Sequence, residues 1–216
     1  MSESTPVKPG VLISFEGIEG SGKTTQVQKA ATYLYQSGHA PVLTKEPGGT
    51  GLGLQIRSLI LDPQTRFSSP LTELLLFSAD RVEHVCSTIK PALENGQIVL
   101  CDRYIDSTRA YQIGGRQNNP KLVEELCQVA ELVPDLTILF DLDPSVGITR
   151  ARSRASLDRF EQENLSFHQR VRDTYLQIAQ KEPKRFRVIP VGQRDPDTIF
   201  ADVLPPIQEL LKKSVN

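Results

Sequence analysis

The sequence predicts an α/β fold, a parallel sheet covered by helices on both faces, and three observations predict it. Apolar runs of strand length recur along the 216 residues. Segments with apolar residues at helical spacing separate them. Residues suited to phosphate chemistry stand just after the runs instead of inside them. Strands that alternate with helices pair in parallel, because a parallel neighbour needs a long crossover and a helix supplies it. Sheets of this kind collect ligands at the carboxyl ends of their strands.

The elements follow in chain order. Residues 11–15, Val-Leu-Ile-Ser-Phe, form a buried strand, and 25–35 forms a helix with Val27, Ala30, Ala31 and Leu34 on one face. Further strands are expected at 40–44, 97–101 and 136–141, with a weaker one at 187–191. Helices are expected at 52–61, 69–94, 120–132, 160–180 and 196–213. Within 69–94, Leu71, Leu75, Val82, Val85, Cys86 and Ile89 fall in one stripe, expected to face the core. Phe77 and Arg81 lie one turn apart, roughly 110° around the helix from that stripe.

Composition bounds the rest. The length suits one domain, 11–216, with an ample core, and 1–10 reads as a disordered tail, polar with two prolines and no apolar leader core. Basic and acidic residues balance, 25 against 26, which marks neither a nucleic-acid nor a membrane surface. No apolar run reaches membrane-spanning length. Cys86, Cys101 and Cys127 show no paired spacing and lie in apolar segments, so they read as reduced core residues of a cytoplasmic protein. His39, His84 and His168 lack metal-ligand spacing and carry no assignment.

The strongest local signal lies between the first strand and the first helix. Gly17-Ile18-Glu19-Gly20-Ser21-Gly22-Lys23-Thr24 fits G-x-x-x-x-G-K-[ST] at every fixed position, with Thr25 opening the helix. Glycines there let backbone N–H groups converge on an anion at a helix N-terminus. In such a P-loop, Lys23 reaches the β- and γ-phosphates of ATP and Thr24 takes a Mg²⁺ position. The ends of the other strands add Lys45-Glu46-Pro47-Gly48-Gly49-Thr50-Gly51, then Asp102-Arg103-Tyr104, then an arginine-rich stretch after 136–141. A GTPase would need an Asn-Lys-x-Asp base-reading motif, and the chain has none.

Five segments in order, FEGIEGSGKTT, KEPGGTGLG, LLLFSADR, DRYIDSTRAYQ and LDRFEQE, make the chain similar to the thymidylate kinases from residue 11 onward. The resemblance implies a three-layer P-loop fold of nucleoside monophosphate kinase type, with a lid at about 150–158. It implies transfer of the ATP γ-phosphate to dTMP, giving dTDP and ADP with Mg²⁺, in dTTP synthesis, and it implies a homodimer. By the same resemblance Asp102 organises Mg²⁺ and the phosphates, while Arg103 and Arg57 hold the dTMP phosphate. Phe77 stacks on thymine, Arg81 bonds its O4, and Glu19 accepts from the 3′-hydroxyl. Glu46, Pro47, Ser107, Thr108, Tyr111 and Gln112 belong to the nucleoside pocket, where Tyr111 fills the space of a ribose 2′-hydroxyl. Gly20 stands where one branch of the family carries a catalytic arginine, so the chain resembles the bacterial-type branch, whose lid supplies the cation. Arg154 is the first choice for it and Arg152 the second, with Arg150 and Arg152 equally readable as solvated helix residues. Two other readings stay open: a small P-loop kinase for another acceptor, and a nucleotide-binding regulator without catalysis.

Overall fold

The computed structural model describes residues 10–153 and 157–215. Most of the expected tail, and Arg154 with it, lie outside the described residues. Five parallel strands, β1 (Val11–Glu16), β2 (Val42–Lys45), β3 (Ile98–Asp102), β4 (Leu136–Asp141) and β5 (Phe186–Pro190), lie in the order β2-β3-β1-β4-β5. Each expected strand is present within about two residues. β1 is buried along its whole length, and Leu12, Ile13 and Phe15 are fully inaccessible. Such a strand needs cover on both faces, which is why its sequence is mostly apolar, broken only by buried Ser14 and Glu16, and does not alternate.

The helices are α1 (Lys23–Gln36), α2 (Gly51–Leu61), α3 (Pro70–His84), α4 (Lys90–Glu94), α5 (Ile105–Thr108), α6 (Pro120–Gln128), α7 (Pro144–Arg152), α8 (Leu165–Lys181) and α9 (Pro196–Val215). A π turn, Val85–Ile89, joins α3 to α4, and a second, Arg109–Gly115, extends α5. Two elements were not expected: α7, and the helix that α5 opens. Residues expected to begin the helix at 160 instead form a turn, and α8 starts at Leu165, with Asn164 accepting from the Phe167 N–H as its cap.

The stripe expected to face the core along 69–94 is corrected. Leu71, Leu75, Val82 and Cys86 are exposed, and only Val85 and Ile89 of that set are buried. The inward face of α3 carries Glu73, Leu74, Asp80, Arg81 and His84. Val85 continues the inward face of Leu74 and Arg81, and the extra residue of the π turn swings Ile89 by about 100° onto that face. Cys86 is thereby an exposed thiol, while Cys101 and Cys127 are buried as expected.

β1 pairs with β3 on one side and β4 on the other, with Phe15 opposite Asp102. β2 adds to β3 with Lys45 opposite Asp102. The loops after β1, β2 and β3 therefore emerge side by side, where the strand order reverses.

Candidate active site

A cleft of about 520 Å³ opens at that edge. Its floor is the loop after β1. Gly17 has a φ of 141°, and a β-carbon there would stand 2.6 Å from the Phe140 carbonyl oxygen, so only glycine lets the chain turn against β4. Gly22 caps α1 with a φ of 87° and no side-chain hydrogen bond, and the first turn holds no acidic residue. The first N–H groups of α1 and the positive end of its dipole are left for an anion.

Lys23 crosses this loop, its Nζ donating to the Ile18 carbonyl at 2.7 Å and reaching Ser21 Oγ at 3.3 Å. Burial, with Arg103 adding repulsion, pushes its pKa down to about 7 against the pull of Asp102, Glu19 and Glu16. An incoming polyphosphate reverses that balance. Thr24 Oγ1 donates to Asp102 Oδ2 at 2.5 Å, which joins the loop to the end of β3. These are hard oxygen donors, and the described residues contain no cluster of three or more metal-ligating side chains. Mg²⁺ is commonly held by one or two protein oxygens together with substrate phosphates and water, and this pair fits it.

The opposite wall is built from β2, α3 and α5. Arg103 has a φ of 69°, an uncommon conformation for a side-chain-bearing residue, costing on the order of 1–3 kcal/mol. That turn sends its side chain back over the floor, where Nη1 donates to the Gly17 carbonyl at 2.9 Å and Nη2 to Glu19 Oε1 at 3.0 Å. Tyr111 donates to the same Glu19 oxygen at 2.5 Å, and the Arg103 guanidinium lies 5.1 Å from the centre of its ring. Burial alone would raise the pKa of Glu19, but Arg103, His168 and Lys23 hold it well below the usual carboxylate range.

Arg57 donates to the Pro47 carbonyl at 2.8 Å and lines the cleft, and the Glu46-Pro47 peptide beside it is cis. Phe77 lines the cleft with its ring 6.0 Å from that of Phe160, which in turn meets Tyr111 edge-on at 5.6 Å. Arg81, only 3% exposed, donates Nε and Nη2 to Glu46 Oε2 at 2.9 and 2.7 Å. Burial opposes its charge, but Glu46 keeps its pKa above the ordinary arginine value.

The P-loop end of the cleft is closed by α7. A β-carbon on Gly20, whose φ is 71°, would stand 2.4 Å from the Gly147 carbonyl oxygen, and one on Gly147 would stand 2.5 Å from that of Glu19. The two backbones cross in contact, and position 20 has no room for a side chain. Arg150, from the last turn of α7, donates to the Gly192 carbonyl at 2.9 Å and lines the cleft. Arg152 is exposed and does not line it.

With this geometry in view, the comparisons decide the family. The chain matches the thymidylate kinase family over residues 15–200. The chain belongs to that family. It is 48% identical over 188 residues to the thymidylate kinase of Desulfosudis oleivorans, covering 83% of this chain and 88% of that one. It is 44% identical over 202 residues to the thymidylate kinase of Deinococcus radiodurans, covering 93% and 97%. The crystal structure of thymidylate kinase from Ehrlichia chaffeensis superposes with a TM-score of 0.75 at 37% identity, covering 93% of this chain and all of that one. The family reaction is phosphorylation of dTMP by ATP to dTDP, on the way to dTTP, and the fold is that of the P-loop nucleoside monophosphate kinases.

This thymidylate kinase family member brings most of the expected residues together. Glu19, Gly20, Gly22, Lys23, Thr24, Thr25, Glu46, Pro47, Arg57, Phe77, Arg81, Asp102, Arg103, Ser107, Thr108 and Tyr111 all line the cleft. Gln112 does not: it is wholly buried, donating to Glu73 Oε1 at 2.6 Å and accepting from Asn118 Nδ2 at 2.8 Å. Glu16 went unanticipated. It receives the Tyr104 N–H at 2.7 Å, the Ser107 hydroxyl at 2.6 Å and the Tyr175 hydroxyl at 2.9 Å, and burial together with the Asp106 charge pushes its pKa up to about 7. The wall residue Phe160 carries no expected role, and Arg150, left open between lid cation and solvated helix residue, lines the cleft. The LDRFEQE segment held a visible sign of Phe160, an aromatic just after the expected lid.

Proposed function

We propose that the groups of this cleft divide the reaction ATP + dTMP → ADP + dTDP as follows. The P-loop N–H groups and Lys23 receive the ATP β- and γ-phosphates, and Thr24 with Asp102 would hold Mg²⁺, which supplies charge neutralisation on the phosphates when bound. Arg103 and Arg57 take the dTMP phosphate, Phe77 stacks on thymine, and Arg81 donates to O4. Glu19 accepts from the 3′-hydroxyl, and Tyr111 fills the space a 2′-hydroxyl would need. A dTMP phosphate oxygen attacks the γ-phosphorus, the bond from that phosphorus to the β–γ bridging oxygen breaks, and ADP leaves with the electron pair. Positioning and charge stabilisation carry this reaction almost entirely. Arg150, Arg152 and Arg154 are the candidate lid cations, because position 20 cannot carry one.

The observation that supports this reading best is the juxtaposition across the cleft: an open helix N-terminus with Lys23 faces two arginines and an aromatic wall. Two anions and a planar base fit that arrangement. The enzyme works in the cytoplasm as a homodimer, its second copy covering the exposed leucines of α2 and α3, Leu52, Leu59, Leu71 and Leu75. Arg103→Ala and Phe77→Ala separate the two halves of acceptor recognition. The first weakens dTMP binding by about 2–5 kcal/mol, and the second by about 1–3 kcal/mol through lost base stacking. Unchanged dTMP affinity in both variants by calorimetry would place the acceptor elsewhere.

A further inference from the structure

We propose that His84 is a positioning residue for recognition of the acceptor base, acting through Glu46 on Arg81. The inference deepens the reading given above and rests on Arg81 facing the base.

His84 is wholly buried on the inward face of α3, one turn after Arg81. Its Nδ1 lies 2.9 Å from Glu46 Oε1 and its Nε2 2.6 Å from Thr44 Oγ1. The other Glu46 oxygen takes both donors of Arg81, and Arg81 Nη2 also donates to Thr108 Oγ1 at 2.8 Å. Proton placement follows from the chemistry of the groups. A carboxylate only accepts, so Nδ1 carries the hydrogen, and the Thr44 hydroxyl, able to donate or accept, meets Nε2. A chain of hydrogen bonds thus runs from the end of β2 through α3 to α5, with the His84 imidazole at its centre.

The ring also shapes the loop it touches. A β-carbon on Gly49 would meet it at 2.4 Å, and the Gly48 N–H is held by Asp80 Oδ1 at 3.0 Å. Three neighbouring residues of α3, Asp80, Arg81 and His84, therefore fix both the loop after β2 and the carboxylate within it.

The consequence for recognition lies in Glu46. The terminal torsion of a glutamate is soft. With Oε1 tied to His84, Glu46 offers Arg81 a single oxygen, which engages Nε and Nη2 and leaves Nη1 without a protein hydrogen-bond acceptor among the described residues. Without that tie the carboxylate turns to share both oxygens with the guanidinium, the geometry such pairs favour, and the Arg81 donor facing the cleft is redirected. An arginine donates and never accepts, so a correctly aimed Arg81 favours thymine, whose O4 accepts, over cytosine, whose N4 donates.

The test compares steady-state kinetics with dTMP and dCMP in the wild-type chain and in His84→Asn, His84→Gln and Arg81→Gln. Asparagine places an N–H where Nδ1 stands, whereas glutamine reaches toward Thr44 and past Glu46. His84→Gln is expected to raise KM for dTMP about tenfold and to narrow the dTMP-over-dCMP preference by a similar factor, with KM for ATP within about twofold. His84→Asn is expected to stay within about threefold of wild type on both measures. A packing role alone would impair the smaller asparagine more and leave the preference intact, which overturns the proposal. If Arg81→Gln collapses the preference and His84→Gln does not, base reading by Arg81 stands and only the role of His84 falls. If Arg81→Gln keeps the preference, base reading and proposal fall together. Nitrogen-15 resonances of the wild-type imidazole give a readout independent of the variants: a protonated Nδ1 supports the relay, and a bare Nδ1 refutes it.

Discussion

Lys23 shows how one residue joins the fold to the chemistry. Buried under its own loop and close to Arg103, it has a pKa near 7 in the ligand-free chain, compared with 10.5 for a free lysine. At pH 8 it is therefore mostly neutral, and in the proposed role the ATP phosphates restore the charge, so that binding takes up a proton. Calorimetry in buffers of different ionisation enthalpy should find uptake approaching one proton at pH 8 and little at pH 6, where Lys23 is already charged. Lys23→Met should abolish the uptake at pH 8; uptake that persists in the variant would assign the proton to another group. Lys23 and Thr24 were legible in the sequence because their spacing within one loop is itself the signal, and Asp102 because it ends a strand within a family signature. Glu16 and His84 were not, since their meaning depends on partners far along the chain. The Tyr104 N–H that binds Glu16 is 88 residues away, and Glu46 is 38 residues from His84.

Among the elements, α7 ties the donor end of the cleft to the arginine-rich stretch. Its contact with the P-loop is backbone against backbone at Gly20 and Gly147, with no side chain able to yield. Gly147→Ala should push α7 away from the loop and lower kcat at least about tenfold, with a smaller effect on KM for dTMP, whose proposed seat is the other wall. Near-normal turnover would mean that α7 does not set the donor geometry. The sequence concealed α7 because Pro144-Ser145-Val146-Gly147 opens without an apolar stripe; the element is fixed by its Asp143 cap, which accepts from the Ser145 N–H, and by burial of Gly147 and Ala151. The strands were legible because continuous apolar runs have few other uses. The stripe on α3 misled because periodicity gives a face without saying which side is the core, and here a polar inward face serves the site.

For the whole molecule, the strand order β2-β3-β1-β4-β5 sets the P-loop, Arg57, Arg103 and Phe77 around one cleft at one edge. The outward leucines of α2 and α3, opposite that polar face, are the proposed contact with a second copy. Leu75→Glu should shift the chain toward monomer in sedimentation at micromolar concentration with little loss of melting temperature, whereas a stable dimer in that variant would place the interface elsewhere. Acceptor choice integrates every part of the site, and ADP release measured by a coupled assay reads it directly. With ATP as donor and dTMP, dUMP, dCMP, dGMP, dAMP and ribothymidine monophosphate as acceptors, the account predicts the highest kcat/KM for dTMP and a marked loss for the ribonucleotide. A higher kcat/KM for any other acceptor, or no ADP release with dTMP, would contradict it.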